Sequence, residues 1–181
     1  NKNAPKLNTS ILSLKIPILG ICYGHQILTK KLGGRVKISK KREFGKAFIK
    51  IKSKSKIFEG IYKKNKEYQV WMSHGDKVNK LPKFFKIIAS TSNAKFAAIA
   101  NEDKKIYGLQ FHPEVIHTLD GEKILQNFVK KNKIYVYICF LFLFCFIRLY
   151  CIKKTIYYYV LELVKQIFFC FRSWRGPRGV A

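Results

Sequence analysis

Acidic residues are scarce in this chain: 10 aspartates and glutamates stand against 36 lysines and arginines, for a formal net charge of +26. A balance this basic is typical of proteins that bind nucleic acids or anionic surfaces. The basic residues, however, are mostly lysines scattered along the chain, and no zinc-finger, basic-zipper or RNP-like pattern accompanies them. The charge therefore indicates a lysine-rich solvated surface, and no nucleic-acid partner is expected.

Cysteine is almost absent from the first three quarters of the chain. Only Cys22 of the five cysteines precedes residue 139, and the other four form no C-x-x-C pair. This spacing argues against common zinc sites and thioredoxin-like chemistry, and no metal site is predicted. The opening residues NKNAPKLNTS have neither a starting methionine nor the apolar core of a secretory signal, so we expect a cytoplasmic chain that is a piece of something longer.

The composition changes abruptly near Lys133, and two units are predicted: a domain at 1–133 and an unrelated hydrophobic, aromatic and cysteine-rich tail at 134–181. Residues 134–152 are apolar apart from Arg148 and approach the ~20 residues that span a bilayer. A membrane anchor is one interpretation of the tail. Its bias toward Phe, Ile, Tyr and Lys favours the other, a translated non-coding or frame-shifted stretch that is non-native or disordered, so no membrane partner is expected.

The first 133 residues alternate strand-like and helix-like segments. Short apolar or alternating runs predict strands, and the amphipathic runs predict helices. The predicted strands are 14–21, 46–52, 67–74, 85–91 and a hairpin made of 96–100 and 106–112, and the predicted helices are 24–34 and 119–131. This order indicates an α/β fold with an open, mixed, mostly parallel sheet flanked by helices. In such folds, sites lie at the carboxyl ends of the strands.

Cys22 lies where the first strand turns into the first helix, in the pentapeptide GICYG. Glycines two residues before and after a nucleophile relieve the crowding of a sharp strand-to-helix turn. The helix N-terminus favours the reactive thiolate, and the backbone N–H of Tyr23 can face a developing oxyanion. The alternative is a core cysteine beside a glycine turn.

A nucleophilic cysteine needs a base, and the segment QFHPE offers one. It places His112 at the end of a predicted strand and Glu114 two residues later, with Pro113 fixing the backbone between them. Glu114 can orient the imidazole and stabilise its cationic form, as in catalytic triads generally. A plain loop is the alternative for these residues taken alone.

Three segments together, GICYGHQ, WMSHGDKV and GLQFHPEVIHTLDG with ILQNFV, resemble the glutaminase domain of class I glutamine amidotransferases over about residues 1–130. Within this family, SHGD and FHPEV-HT are most similar to the motifs of the members that supply ammonia for the conversion of XMP to GMP. The resemblance implies hydrolysis of glutamine to glutamate and ammonia. Cys22 would be the nucleophile, His112 the general base and acid, and Glu114 the orienting carboxylate.

The resemblance also implies a substrate site. Gln26 would help hold glutamine, and the Ser73–His74 backbone would bind its amino-acid end. Judged without the family, Gln26 fits a solvated helix position, and Ser73 and His74 fit a polar strand end. Asp76 fits a turn cap.

The family further implies a partner for the glutaminase domain. Ammonia would pass to an ATP-pyrophosphatase domain or subunit, Mg-ATP would bind only in that absent synthetase part, and the full-length enzyme would be a homodimer. The chain departs from the family in starting after the Gly-Gly-Pro loop that supplies half of the oxyanion hole, in having Ile116 in place of Thr, and in its tail. A weak or inactive glutaminase is therefore expected for this truncated chain alone.

Other functions stay open on the sequence. Another class I amidotransferase or a γ-glutamyl hydrolase would share the elbow and the histidine, but SHGD and HPEVIHT argue against both. A basic nucleic-acid-binding module and a membrane-anchored protein are alternatives from different classes, and the scattered lysines argue against the first.

Overall fold

The structure, a computed structural model, describes residues 6–134. The interpretations of the tail concern residues that, apart from Ile134, lie outside this range. Within it the helices are α1 (Ser10–Ser13), α2 (Tyr23–Lys31) and α3 (Gly121–Lys131), and a 3-10 turn spans Lys56–Phe58. The strands are β1 (Ile18–Ile21), β2 (Arg35–Ile51), β3 (Glu67–Lys80), β4 (Lys86–Ser90), β5 (Ala98–Asn101) and β6 (Ile106–Leu109). Over the described range, no helix is both long enough and apolar enough to cross a membrane.

The described strands form one six-stranded sheet in the order β1-β6-β5-β4-β2-β3. The predicted α/β class with a mixed sheet is confirmed. The expected preponderance of parallel pairs is not found among these residues, because only β1 and β6 pair in parallel and the other four pairings are antiparallel. For two of these pairings the physical reason is the length of the connection: the links between β4 and β5 and between β5 and β6 are too short to hold a crossover helix.

The core is built by the alternating side chains of the central strands. In the β2–β3 ribbon, Ile49 and Val70 are fully buried, whereas Phe48, one residue along β2, is half exposed. This is the period of two expected for a strand with one buried face. Helix α3 adds Ile124 to the core, and the Phe128 ring meets Tyr107 of β6 edge-on at 5.8 Å between centroids.

Helix α2 covers the place where β1 ends, and the packing there leaves no room for a side chain at position 20. A Cβ on Gly20 would stand 2.5 Å from Leu28 Cδ1 and 2.7 Å from the backbone carbon of Gly24. The two glycines that flank Cys22 therefore face each other across the strand-to-helix turn. Gly33 ends the helical segment with a φ of +92°, the left-handed conformation that glycine adopts most readily.

The predicted boundaries shift by a few residues in the structure. The second long helix begins at Gly121 rather than at 119, with Asp120 at the N-cap position in a left-handed conformation. The Asp120 carboxylate makes no capping hydrogen bond; it pairs with Lys123 at 2.7 Å instead. Asp120 therefore occupies the N-cap position without capping the helix through its side chain.

We predict that Gly20→Ala destabilises the domain by about 1–3 kcal/mol, because a methyl group would overpack the contact between β1 and α2. Gly75→Ala is a matched control, since a Cβ there meets Arg42 side-chain atoms no closer than 3.7 Å. Its effect should stay within about 0.5 kcal/mol. Urea titration of both variants measures the difference, and equal midpoints would contradict the packing argument.

Candidate functional site

The parallel pairing of β1 and β6 creates the candidate site. The pairing places Ile21 beside Leu109, so the residues that follow, Cys22 and Gln110, leave the sheet at the same edge. The Cys22 backbone N–H donates to the Leu109 carbonyl at 2.7 Å and extends the strand pairing by one residue. His112 lies two residues beyond Gln110, at the predicted carboxyl edge of the sheet.

Cys22 has an unusual backbone. Its φ of 49° and ψ of −103° fall outside the conformations that side-chain-bearing residues adopt easily, and it occupies the N-cap position of α2. Its carbonyl accepts the first backbone hydrogen bond of the helix, from Gln26 N–H at 3.2 Å. Its thiol lies 3.4 Å from the Ser73 carbonyl on β3 and donates to it. Strain of this kind is maintained by surrounding packing and is common at functional sites.

His112 is joined to Glu114 as the sequence predicted. The His112 Nδ1 lies 2.6 Å from Glu114 Oε1, and both side chains are about four-fifths buried. Burial alone would lower the pKa of His112, but hydrogen bonding and charge from Cys22 and Glu114 outweigh burial and raise that pKa to about 10. The other ring nitrogen, Nε2, is buried and makes no well-formed hydrogen bond with any described residue. The imidazole therefore has one end fixed by a carboxylate and the other left for a reacting group.

A network of backbone contacts fixes the segment that carries His112 against β3. The His112 N–H donates to the Trp71 carbonyl at 2.9 Å. The buried Thr118 hydroxyl accepts the Trp71 N–H at 3.0 Å and donates to the His112 carbonyl at 2.6 Å. The threonine of the FHPEV-HT motif thus ties the histidine to the strand that also contacts the Cys22 thiol.

Gln110 is a site residue that the sequence analysis missed. It is 1% exposed, and its Nε2 lies 3.8 Å from the Cys22 sulfur. Its Oε1 accepts a hydrogen bond from Gln26 Nε2 at 3.2 Å, and the same Gln26 nitrogen donates to the Asp76 carbonyl at 2.8 Å. The signal available in the sequence was a polar side chain inside the otherwise apolar run IYGLQF.

The structure places Gln26 beside the nucleophile but not on a solvated helix face, because the residue is 9% exposed. Ser73 and His74 lie in the middle of the 14-residue β3 rather than at a strand end. Asp76 also belongs to β3, where it pairs with Ile38, so it caps no turn. The roles of Gln26, Ser73 and His74 in substrate binding stay predictions.

The His74 side chain belongs to a buried polar network. Its Nδ1 lies 2.9 Å from the Asp76 carbonyl and its Nε2 lies 3.0 Å from Glu43 Oε2. Glu43 also accepts a hydrogen bond from the Thr91 hydroxyl at 2.9 Å. Burial raises the pKa of Glu43, but these hydrogen bonds and the His74 charge outweigh burial and lower it overall. The network ties β2, β3 and the end of β4 together next to the site.

The remaining histidines differ in burial. His25 is fully buried on α2 and bonded to the Phe96 carbonyl at 3.1 Å, and burial lowers its pKa to about 4. His117 is exposed and stacks on Trp71 with 4.5 Å between ring centroids.

Ile116, the departure from the family pattern, is 90% exposed. Within the described range, no group of three or more His, Cys, Asp or Glu side chains is arranged to hold a metal.

A cysteine, a carboxylate-paired histidine and helix-terminal backbone groups at one edge of a sheet are groups of the kind that acyl transfer uses. The family model described as class-I glutamine amidotransferase matches residues 1–132. The chain is 50% identical over 131 residues to the glutamine-hydrolysing GMP synthase of Bartonella henselae, and 51% identical over 128 residues to that of Brucella melitensis. The matches cover 72% and 71% of this chain, which spans about a quarter of the length of each relative.

A solved structure is also similar to this chain. A Thermoplasma acidophilum protein described as one subunit of a GMP synthase superposes with a TM-score of 0.62 at 36% sequence identity. The superposition covers 67% of this chain and 60% of that protein. The fold and the sequence motifs therefore agree with each other.

We predict that Glu114→Gln lowers the pKa of His112 from about 10, because the amide keeps a hydrogen-bonding group but removes the negative charge. Cys22→Ser should lower it too, since a hydroxyl stays neutral where a thiol can ionise. NMR titration of the His112 ring measures both shifts. A pKa raised on folding contributes stability below about pH 6.5, and that contribution is lost as the pH rises through 10. The parent should therefore lose more stability than Glu114→Gln across this window, and identical pH profiles would contradict the assignment.

Proposed function

This chain belongs to the class-I glutamine amidotransferase family, and from that membership we propose that its domain hydrolyses glutamine and supplies the ammonia for conversion of XMP to GMP. The observation that carries the proposal is the position of the His112–Glu114 pair beside the Cys22 sulfur at one edge of the sheet. The 50% identity to GMP synthases supports this specific product.

In the first half of the reaction, the Cys22 thiolate attacks the side-chain amide carbon of glutamine. The carbonyl oxygen becomes an oxyanion, and the backbone N–H of Tyr23, at the start of α2, is the donor that we assign to it. The α2 N-terminus adds a partial positive charge, which favours both the thiolate and the oxyanion.

The leaving amide nitrogen needs a proton before it departs as ammonia. His112 supplies it from Nε2, the ring nitrogen that the described residues leave without a well-formed hydrogen bond. The raised pKa of His112 keeps the ring protonated beside the thiolate. Glu114 at Nδ1 holds the ring orientation while the charge changes.

In the second half, water hydrolyses the thioester. Neutral His112 takes a proton from the attacking water, which then bonds to the acyl carbon. The carbon–sulfur bond breaks, glutamate leaves, and the electron pair returns to the Cys22 sulfur. The imidazolium–thiolate pair is restored for the next turnover.

Two groups next to Cys22, the Gln26 side chain and the Ser73–His74 backbone, would orient the substrate. Gln26 lies beside Cys22 on the first turns of α2, and the Ser73 carbonyl already contacts the thiol. We assign the amino-acid end of glutamine to the Ser73–His74 backbone and its side chain to the space between Gln26 and Cys22. The buried network of His74 with Glu43 keeps that backbone in place.

The ammonia needs an acceptor that this domain does not provide. The curated relatives are about four times longer than the match, and their GMP synthase activity requires a partner that activates XMP. We propose that this partner is an ATP-pyrophosphatase, present either in the same chain or in a second one. We further propose a homodimer for the complete assembly and the cytoplasm for its location.

We predict that a diazoketone analogue of glutamine labels Cys22 in preference to the four tail cysteines, because the His112 ring lies beside the Cys22 sulfur. Peptide mass spectrometry of the labelled chain locates the adduct. Cys22→Ala should abolish the label, and prior incubation with glutamine should slow it. Equal labelling at several cysteines would contradict the nucleophile assignment.

We predict that, with a family-type N-terminal segment fused in front of the chain, His112→Ala lowers the rate of ammonia release by ~10²–10⁴-fold, the usual contribution of a positioned acid-base group. Glu114→Ala should cost less, because it orients the ring but transfers no proton to the substrate. His117→Ala is the matched control, since that ring is exposed and stacks on Trp71. A coupled glutamate assay on all three variants gives the ranking, and a His112 variant as active as the His117 variant would remove His112 from the mechanism.

A further inference from the structure

We propose that Gln110 is a catalytic residue, whose side-chain N–H is a fixed hydrogen-bond donor to the Cys22 sulfur and stabilises the thiolate. The proposal rests on the proposed function only in taking Cys22 as the nucleophile. Gln110 directly follows β6, and the parallel pairing with β1 places it beside Cys22. Its backbone is held in turn, because its N–H donates to the Ala97 carbonyl at 2.8 Å.

The hydrogen-bond network determines which end of the Gln110 amide faces the sulfur. The Asp76 backbone carbonyl can only accept, so the Gln26 group 2.8 Å away must be its NH₂. That NH₂ also lies 3.2 Å from Gln110, and the Gln110 atom it meets must therefore be the oxygen. The NH₂ of Gln110 is left pointing at Cys22. A chain of two glutamine amides thus sets a donor on the nucleophile.

The contacts of the Cys22 sulfur become more attractive or more repulsive when the thiol loses its proton. As a thiol, Cys22 donates to the Ser73 carbonyl at 3.4 Å. As a thiolate it can only accept, so the carbonyl becomes a repulsive neighbour. The Gln110 N–H and the His112 ring, which also lies against the sulfur, become stronger attractive ones. Hydrogen bonds to charged groups are about twice as strong as neutral ones. Gln110 therefore favours the reactive form, and it is buried deeply enough that water cannot replace it.

The deciding experiment is alkylation of Cys22 by iodoacetamide across pH 5 to 10, without glutamine, in the full chain. Gln110→Glu keeps an oxygen for Gln26 but places an acceptor, or a negative charge, against the sulfur. We expect the pH midpoint of Cys22 alkylation to rise by about one unit, so that the rate at any pH on the acid side of the parent's midpoint falls about tenfold. Peptide mass spectrometry separates Cys22 from the tail cysteines.

The matched control is Gln126→Glu, the same chemical change on an exposed position of α3. It should leave the midpoint where the parent has it. Gln26→Met is a second test, because it frees the Gln110 amide to rotate and should shift the midpoint in the same direction by less. It also decides the question if Gln110→Glu does not fold. The proposal is overturned if the Gln110 and Gln26 variants alkylate like the Gln126 variant.

The alkylation readout separates this proposal from the glutaminase function. If the domain releases no ammonia even when a family-type N-terminal segment is fused in front of it, but the midpoint shift is seen, the donor role of Gln110 holds and the proposed reaction fails. If ammonia is released and the midpoint does not move, the reaction stands and Gln110 has only a packing role.

Discussion

The site depends on one constraint, the parallel register between β1 and β6. Because Ile21 lies opposite Leu109, the next residue of each strand leaves the sheet at the same edge. Cys22 and Gln110 become neighbours although they are 88 positions apart in the sequence. A slip of one residue would turn the side chains to the opposite faces and separate the nucleophile from both Gln110 and His112. The close packing around Gly20 holds that register from the helix side.

Two buried histidines show how the surroundings decide the charge of the same side chain. His25 is fully buried with a backbone carbonyl as its bonding partner, and burial takes its pKa down to about 4. His112 is also substantially buried, but a carboxylate and the Cys22 thiol lie next to it, and its pKa rises to about 10. Desolvation lowers the pKa of a buried histidine where no anion is near, and anionic partners raise that pKa where they are close. His25 is therefore a neutral packing group, whereas His112 keeps its proton at neutral pH.

The local signals in the sequence were sufficient to predict the strand-to-helix turn at Cys22 and the pairing of His112 with Glu114. A glycine on each side of Cys22 marks a turn that side chains would block, and the structure brings those glycines together. The spacing of His112 and Glu114 lets the two side chains meet across a single proline, which is a local geometric property. The α/β class followed from the alternation of apolar runs. The alternation of apolar runs did not predict how many strand pairs are parallel, because strand direction depends on which strands become neighbours.

The sequence by itself determined the family and singled out Cys22, His112 and Glu114 as the candidate catalytic residues, since these signals are encoded within a few consecutive residues. Only the tertiary structure decided the surroundings of the sulfur. Gln110, Gln26 and the Ser73 carbonyl come from three separate segments, and they meet at Cys22 because the sheet and α2 bring those segments together. The same holds for Thr118, whose hydroxyl ties His112 to β3. Hydrogen bonds between distant segments leave no periodic mark in a sequence, so their partners become known only once the chain is folded.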